Sequence, residues 1–264
     1  RPLIGVLTDH VHTPRAIAKR MMEYHLDKDY TMRVAEHLGN PKKEKIYNIY
    51  SIEEISEMSF SCPNCVLLMK APNSTQQRPA LGIPDTKFVL LNDRAKMITK
   101  APIRVIDLSL LELHNSRTFW DIGACTGSVS IEARRQYPHL NIQAFEVREE
   151  CKDIIRANAR LQSAPGIDLH IGNFLNLPIA EDAIVDAVFI GGHGGKLKEI
   201  ICKVASHLDK LKGKIVFNSV SEESNKLFRE AVEENDLKLH SEMNITVDTN
   251  NPITILCATG KYHV

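Results

Sequence analysis

From residue 118 onward, short apolar segments alternate with stretches in which apolar residues recur at helical spacing. The predicted strands are Thr118–Ile122, Asn141–Glu146, Ile167–Ile171, Asp186–Ile190, Lys214–Asn218, Lys238–Thr246 and Pro252–Ala258. The predicted helices lie between strands, at about Ser128–Gln136, Glu149–Gln162, Lys196–Leu208 and Ser221–Asn235. Such alternation requires right-handed crossovers, which predicts a parallel sheet with ligands at the carboxyl ends of its strands. The last two strands follow each other without a helix, so we predict one antiparallel strand at the edge.

The first third of the chain has a different pattern. It predicts strand, helix, strand, helix and strand in that order, at Leu3–Leu7, Pro14–Tyr24, Tyr30–Glu36, Ile52–Met58 and Cys65–Met69. Residues 71–86 contain prolines and show no periodicity, so we interpret them as a linker. The sequence therefore predicts two α/β domains, one over residues 1–92 and one over residues 93–264.

Composition narrows the classes of protein to which this chain can belong. Its 264 residues include 33 Lys and Arg against 33 Asp and Glu, and this zero net charge argues against a basic nucleic-acid binder. No apolar run reaches the ~18 residues of a membrane span, and we recognise no signal peptide. Six cysteines without the spacing of a disulfide scaffold predict a reducing, cytoplasmic setting. The histidines lack spacings such as H-x-x-x-H, so we predict no metal.

A glycine-containing loop closes the first of the seven strands, in the segment Phe119-Trp-Asp-Ile-Gly-Ala-Cys-Thr-Gly127. A dinucleotide site has three glycines here and binds pyrophosphate at the helix that follows, whereas this loop has Cys125 at the middle position. Asp121 stands just before the loop, where its charge would repel a pyrophosphate but suits the amino group and sulfonium of S-adenosylmethionine. The predicted cofactor residues at this loop are therefore Asp121, Gly123, Ala124, Cys125, Thr126 and Gly127.

Three further strand ends carry residues typical of a nucleoside-binding enzyme. Glu146 ends the second strand, 25 positions after Asp121, where a carboxylate accepts hydrogen bonds from ribose hydroxyls. Asn173 and Phe174 follow the third strand, where an amide and an aromatic ring can hold an adenine. The fourth strand ends in Gly191-Gly-His-Gly-Gly195, a loop able to lie close against a flat ligand. Together these residues predict S-adenosylmethionine as the cofactor.

The second domain contains the segments Trp120–Ala133 and Phe189–Gly195, the segment Met97–Lys100 with Arg104, and the segment Ile215–Val220 with Glu222. In these segments the chain resembles the decarboxylating precorrin carbon-15 methyltransferases of cobalamin biosynthesis. The resemblance implies a Rossmann-like, seven-stranded methyltransferase domain that uses S-adenosylmethionine. It also implies methylation of carbon 15 of a precorrin or cobalt-precorrin, with decarboxylation of the acetate on carbon 12.

The same resemblance extends to individual site residues. Thr99 matches a family position that contacts the cofactor. The implied tetrapyrrole-binding residues are Gly191, Gly192, His193 and Lys196. Cys125 departs from the family, which has Gly, Ala or Ser there, and Asn173-Phe174 stand where the family often has Asp-Ala. The loop before Asn251-Pro252 is also shorter than the family's.

The first domain resembles a different enzyme type. It contains the motifs Leu7-Thr8-Asp9, Thr13-Pro14, Asp29-Tyr30, Glu36–Pro41 and Lys45-Ile46. These are similar to the C-terminal subdomain of a tetrapyrrole methylase, the precorrin carbon-5 enzyme, which the bifunctional precorrin carbon-5,15 methyltransferases carry fused in this order. The resemblance implies a small α/β subdomain without its N-terminal partner, so we expect no carbon-5 methylation from this chain alone. The family also implies a homo-oligomer.

Several roles stay open at this stage. His193 serves either a proton-transfer step or a hydrogen bond to a substrate carboxylate, and no catalytic residue is assigned. Lys100 and Arg104 either pair with substrate carboxylates or are solvated. The alternative functions are an RNA or protein methyltransferase of the same fold, and a non-catalytic assembly fragment. Cys125 and Asp121 disfavour a third alternative, an NAD oxidoreductase.

Overall fold

The computed structural model describes residues 3–72, 80–94, 97–248 and 251–261. The chain divides into two compact units, one made of residues 1–79 with 160–163 and the other of residues 80–159 with 164–264. This division lies earlier in the chain than the domain boundary that the sequence predicts after residue 92. Residues 73–79 of the predicted linker, and residues 249–250 of the loop before Asn251, lie outside the described residues. Within the described ranges, no helix is both long and apolar enough to cross a membrane.

The first unit contains a four-stranded antiparallel sheet in the order β1-β4-β2-β3 and two helices. Helix α1 begins where the hydroxyl of Thr13 accepts a hydrogen bond from the backbone amide of Ala16. Ala18 and Met21 of this helix are buried against Met32, so the helix covers one face of the sheet. The elements of this unit are β1 (Leu3–Leu7), α1 (Pro14–Glu23), β2 (Tyr30–Glu36), β3 (Lys45–Tyr50), α2 (Ile52–Glu57) and β4 (Asn64–Lys70).

The elements predicted for this unit are confirmed, but the prediction omitted strand β3. This strand pairs with β2, with Tyr47 opposite Val34 and Ile46 opposite Ala35. The Tyr47 hydroxyl also donates a hydrogen bond to Glu36 at 3.2 Å. Strand β3 lies at the edge of the sheet, and its conformation depends on pairing with β2. The periodicity of its own sequence does not reveal that pairing.

The second unit is built on a seven-stranded sheet in the order β10-β11-β9-β8-β5-β6-β7, in which β9, β8, β5, β6 and β7 are parallel. Its strands are β5 (Thr118–Ile122), β6 (Asn141–Glu146), β7 (Ile167–Ile171), β8 (Ala187–Ile190), β9 (Lys214–Ser219), β10 (Leu237–Ile245) and β11 (Ile253–Gly260). Its helices are α3 (Ala101–Leu110), α4 (Ser128–Gln136), α5 (Cys151–Leu161), α6 (Leu197–His207) and α7 (Glu222–Glu234). The predicted Rossmann-like, seven-stranded class is confirmed, and every predicted strand end lies within two residues of the observed one.

The antiparallel strand is β11, and the prediction that it lies at the edge is wrong. It pairs with β9 on one side and with β10 on the other, so β10 forms the edge. The burial of the side chains explains why β11, and not β10, lies inside the sheet. The side chains from Ile255 to Ala258 on β11 are fully buried, whereas those of β10 are exposed or half-buried. A strand that is buried on both faces belongs inside a sheet, and a largely exposed strand is tolerated at its edge.

The prediction also omitted helix α3, which carries Arg104 into the interior. The Arg104 guanidinium is fully buried, and its Nε donates to Glu132 Oε2 on α4 at 2.9 Å. Glu132 also accepts the backbone amides of Gly82 and Ile83, at 2.6 and 3.2 Å. Arg104 therefore neither pairs with substrate nor is solvated, and both of those interpretations are wrong. Removing one partner of such a buried ion pair typically lowers the free energy of unfolding by ~3–5 kcal/mol. Arg104 therefore stabilises the fold.

Candidate functional site

A cavity of about 490 Å³ opens at the carboxyl ends of the parallel strands of the second unit. The loops after β5, β6, β7, β8 and β9 border it, together with residues 97–100. Open α/β sheets bind ligands at this edge, where the strand order reverses. The residues predicted from sequence that line this cavity are Thr99, Asp121, Gly123, Ala124, Cys125, Thr126, Glu146, Asn173, Phe174, Gly191, Gly192, His193 and Lys196.

The predicted cofactor residue Gly127 lies outside the cavity lining. It caps the N-terminus of α4 in the left-handed region, with φ at +73°. A Cβ at this position would lie 3.0 Å from Ile155 Cγ2 on α5. The second glycine of the motif, Gly127, therefore permits the close packing of two helices. A glycine that packs helices and a glycine that contacts a ligand give the same sequence pattern, so the sequence alone does not distinguish them.

Asp121 ends in the cavity with half of its carboxylate unpaired. Its Oδ2 accepts hydrogen bonds from the Ser130 amide at 3.1 Å and from the Ser130 hydroxyl at 2.5 Å. Its Oδ1 is buried and has no hydrogen-bond partner among the residues that the structure describes. Burial raises the pKa of Asp121 to about 6, against the opposing effect of the two bonds from Ser130. A buried acceptor without a partner is costly, and a cationic donor in the cavity would satisfy it.

Glu146 supports the glycine loop from the end of β6. Its Oε2 accepts the backbone amide of Cys125 at 2.8 Å, and its Oε1 accepts the amide of Arg148 at 2.9 Å. The Arg148 guanidinium lies 3.5 Å from the same Oε1. Oε2 accepts the one hydrogen bond from Cys125, and a carboxylate oxygen can accept two. Arg148 also lines the cavity, and the sequence analysis missed it.

Cys125 occupies the position where the glycine loop departs from a dinucleotide motif. Its φ of +50° places it in the left-handed region, which favours glycine. Burial raises the pKa of its thiol to about 12, with the neighbouring thiol of Cys151 adding to the effect. A thiol that stays protonated at neutral pH is a poor nucleophile, so Cys125 acts as an apolar wall of the cavity.

The two glycine loops are in direct contact. A Cβ on Gly123, whose φ is +78°, would lie 2.6 Å from the backbone nitrogen of Gly192. The Gly191 amide donates to Ile122 O at 2.8 Å, which ties the second loop to the end of the first strand. The absence of a side chain at Gly123 therefore permits the loops after β5 and β8 to close together.

Asn173 and Phe174 follow β7 and lie together in one wall of the cavity. Asn173 Oδ1 accepts the amide of Leu175 at 3.0 Å, which fixes the start of the loop after β7. The Phe174 ring is buried edge-on against Phe145 and Trp120, at centroid distances of 5.0 and 6.0 Å. These contacts hold the ring in one orientation, and Phe174 lines the cavity.

His193 and Lys196 lie at the end of β8. His193 Nδ1 accepts the Gly195 amide at 3.2 Å, so a neutral ring carries its proton on Nε2, which lies 3.4 Å from Ser224 Oγ. Burial lowers the pKa of His193, so the ring is neutral at pH 7. Lys196 is largely exposed and pairs with Glu199 at 3.3 Å.

The sequence also did not predict a buried acid that contacts the cavity residue Asn218. Asp107 of α3 is fully buried and accepts a hydrogen bond from Asn218 Nδ2 at 2.7 Å. Asn218 lines the cavity, whereas Asp107 does not. Within the described part of the chain, Asp107 Oδ1 and Asn218 Oδ1 both lack hydrogen-bond partners. Burial raises the pKa of Asp107 to about 8, so this carboxyl is mostly protonated at pH 7.

The sheet order, the glycine loop after β5 and the carboxylate at the end of β6 are those of the Rossmann-like methyltransferase class of folds. The chain belongs to the precorrin methyltransferase domain family, whose model matches residues 91–256.

Named relatives are consistent with this family. The cobalt-precorrin-6B C(15)-methyltransferase (decarboxylating) of Salmonella typhimurium is 35% identical over 127 residues, which are 48% of this chain and 64% of that protein. The precorrin-6Y C(5,15)-methyltransferase (decarboxylating) of Mycobacterium tuberculosis is 25% identical over 226 residues, 83% of this chain and 53% of that protein. The chain thus spans about half to two-thirds of the length of these curated relatives.

A solved structure gives the same result. The crystal structure of precorrin-6y C5,15-methyltransferase from Geobacter metallireducens is 32% identical to this chain and superposes with a TM-score of 0.62. The match covers 70% of this chain and 100% of that one.

We expect Gly123→Ala to destabilise the second unit more than Gly195→Ala does. The two glycines have nearly equal φ values, +78° and +79°, so alanine strains each backbone by about 1 kcal/mol. A Cβ on Gly195 meets nothing within 4 Å, whereas one on Gly123 meets the Gly192 backbone. The expected loss is therefore roughly 3 kcal/mol for Gly123→Ala, measured as the free energy of unfolding in urea. Equal losses for the two variants would show that the loop contact is dispensable.

Replacing Asp107 with Asn is expected to stabilise the protein at neutral pH. The folded-state pKa of Asp107, about 8, lies above its unfolded value of 3.8, so the unfolded chain releases this proton first as the pH rises. Asp107 therefore lowers the free energy of unfolding progressively between those two pKa values. The advantage of Asp107→Asn should be small near pH 4 and grow by up to ~1.4 kcal/mol per pH unit towards pH 8.

The measurement is urea unfolding of both proteins at pH 4, 6 and 8. Asp182→Asn, at an exposed position, is the control and should follow the wild type at every pH. A constant difference between Asp107→Asn and the wild type would mean that Asp107 is ionised in the folded protein across this range.

Proposed function

We propose that this chain is an S-adenosylmethionine-dependent enzyme that methylates carbon 15 of a precorrin or cobalt-precorrin and decarboxylates the acetate on carbon 12, in cobalamin biosynthesis. Membership of the precorrin methyltransferase family and the names of the relatives support this substrate. The observation that carries the proposal is the unpaired oxygen of Asp121, buried in a cavity that two glycine loops enclose.

The residues of the cavity fit the cofactor. Asp121 Oδ1 would accept a hydrogen bond from the cationic amino group, and Glu146 would accept the ribose hydroxyls. Asn173 and Phe174 would hold the adenine, and Thr99 would close the site from the side of residues 97–100. The backbone from Gly123 to Gly127 would follow the chain of the amino acid, with Gly127 acting through helix packing.

When bound, S-adenosylmethionine supplies a methyl group already activated on a sulfonium. The protein then has to orient the ring carbon in line with that methyl group and exclude water. Gly191, Gly192, His193 and Lys196 border the end of the cavity where a flat, polycarboxylate macrocycle would bind. The tautomer of His193 favours a hydrogen-bond donor toward a substrate carboxylate over a base, because its Nε2 carries the proton.

The carbon-15 reaction is assigned to residues 93–264. Residues 1–92 are proposed to be the C-terminal subdomain of a tetrapyrrole methylase, and the mycobacterial match, which is too long to lie within the second unit, supports this. We further propose a cytoplasmic homo-oligomer that does not act on nucleic acid. The zero net charge and the six free cysteines support this setting.

Asp121→Asn is expected to weaken S-adenosylmethionine binding by roughly 10- to 100-fold at pH 8, the loss of a hydrogen bond to a charged group. An amide keeps the bonds from Ser130 but presents no negative charge to the cavity. Because the pKa of Asp121 is about 6, wild-type affinity should also fall about tenfold per pH unit below pH 6, whereas the variant should show no such fall. Isothermal titration between pH 5 and pH 8 measures both effects.

The control for this titration is Asp186→Asn, which alters a buried carboxylate that accepts the amides of Arg117 and Thr118 outside the cavity lining. It should bind the cofactor as the wild type does. Equal affinities for Asp121→Asn and the wild type at pH 8 would contradict the assignment of Asp121.

The reaction itself is tested with a precorrin that still carries the carbon-12 acetate and lacks the carbon-15 methyl group. We expect the product to gain one methyl group and lose one carbon dioxide, with a deuterated methyl donor marking the transferred group. Mass spectrometry of the product and NMR of the label give the readout. Cofactor binding without any change in either tetrapyrrole form, with or without cobalt, would reject the proposed substrate.

A further inference from the structure

Lys203 of α6 is bound to the loop after β7 through its ammonium group. Its Nζ lies 2.8 Å from the carbonyl oxygen of Phe174, 3.2 Å from that of Leu175 and 2.8 Å from that of Leu177. An ammonium group has three protons and no acceptor, so three backbone carbonyls saturate it. A lysine bound in this way constrains one short piece of backbone at three points.

The loop is shaped to present those carbonyls. The amides of Asn176 and Leu177 donate to Asn173 O at 2.9 and 3.2 Å, and the amide of Leu175 donates to Asn173 Oδ1. The amides are therefore directed back toward Asn173, which leaves the carbonyls to be satisfied from elsewhere. Lys203 supplies the donors, and without it these carbonyls would have to find water or other partners.

The same loop forms one wall of the cavity. Asn173 and Phe174 line the cavity, and Lys203 Nζ lies 5.0 Å from the centroid of the Phe174 ring. Ile200, one turn before Lys203 on α6, lines the cavity too. Lys203 itself is absent from the lining, so it acts on the cavity through the loop.

We infer that Lys203 is a positioning residue for the nucleobase of the cofactor. It holds the turn from Asn173 to Leu177 so that Asn173 and Phe174 face the base in a fixed geometry. The inference rests on the proposed function, because it takes the base to bind at this wall. It assigns no contact between Lys203 and the ligand.

The test variant is Lys203→Met, which keeps the aliphatic length and removes the donors. The control is Lys198→Met on the same helix, because Lys198 Nζ pairs with Glu230 and Glu234, at 2.8 Å each, whereas Lys203 Nζ binds the loop carbonyls. The probes are S-adenosylhomocysteine and S-inosylhomocysteine, which differ only at the base. Dissociation constants come from isothermal titration, and hydrogen–deuterium exchange of residues 173–177 reports on the loop.

In Lys203→Met we expect about tenfold weaker binding of S-adenosylhomocysteine, a smaller ratio between the two ligands, and faster exchange in the loop. Lys198→Met should match the wild type in all three. Lys203→Arg keeps the charge but directs its donors in one plane, so it should recover part of the affinity and the ratio. It also serves as the second variant if Lys203→Met does not fold.

The outcomes separate this inference from the function on which it rests. If the wild type binds neither ligand, the proposed function fails. If the wild type binds and prefers the adenine ligand, but Lys203→Met has the same affinity and the same ratio, the inference alone fails. Equal weakening of both ligands, with the ratio unchanged, would also overturn it, because the effect would then not involve the base.

Discussion

The candidate site depends on a contact between two stretches of backbone. Gly123 follows β5 and Gly192 follows β8, and the space that a Cβ on Gly123 would need is taken up by the Gly192 backbone. Because β5 and β8 are adjacent parallel strands, their loops leave the sheet at the same edge and have to share that space. Because Gly123 has no side chain, both loops can pack closely against each other at the strand ends. Asp121 and His193 are thereby brought to the walls of one cavity rather than to two separate surfaces.

Three buried carboxyl groups lie in this cavity or next to a residue that lines it. Glu146 is stabilised by two backbone amides, and it holds the glycine loop from below. Asp121 has one oxygen paired with Ser130 and the other free, and burial raises its pKa to about 6. Asp107 is fully buried and accepts a hydrogen bond from Asn218, and its pKa of about 8 leaves it largely neutral. A cationic ligand in the cavity would be stabilised by the charged form of Asp121.

The walls of the cavity also differ in charge. The loops after β5 and β6 bring the acids Asp121 and Glu146, which favour a cation. The loop after β8 brings His193 and Lys196, whose N–H groups can donate hydrogen bonds. A basic residue near this site in the sequence does not, however, have to line the cavity. Arg104 belongs to the same sequence segment as Thr99, yet it is used entirely inside the fold, against Glu132.

Much of this protein follows from local features of its sequence. Apolar periodicity determined the seven strands and the helices α4 to α7 of the second unit. Glycines and acids at strand ends determined most of the predicted residues that meet in the cavity, since the carboxyl ends of parallel strands share one edge. The sequence did not reveal that β11 lies inside the sheet, that β3 pairs with β2, or that Arg104 and Asp107 are buried. The partners Arg104–Glu132 and Asp107–Asn218 are 28 and 111 positions apart. Only the tertiary structure decided these features, because pairing, burial and the pKa of a carboxyl group depend on neighbours that distant parts of the chain bring together.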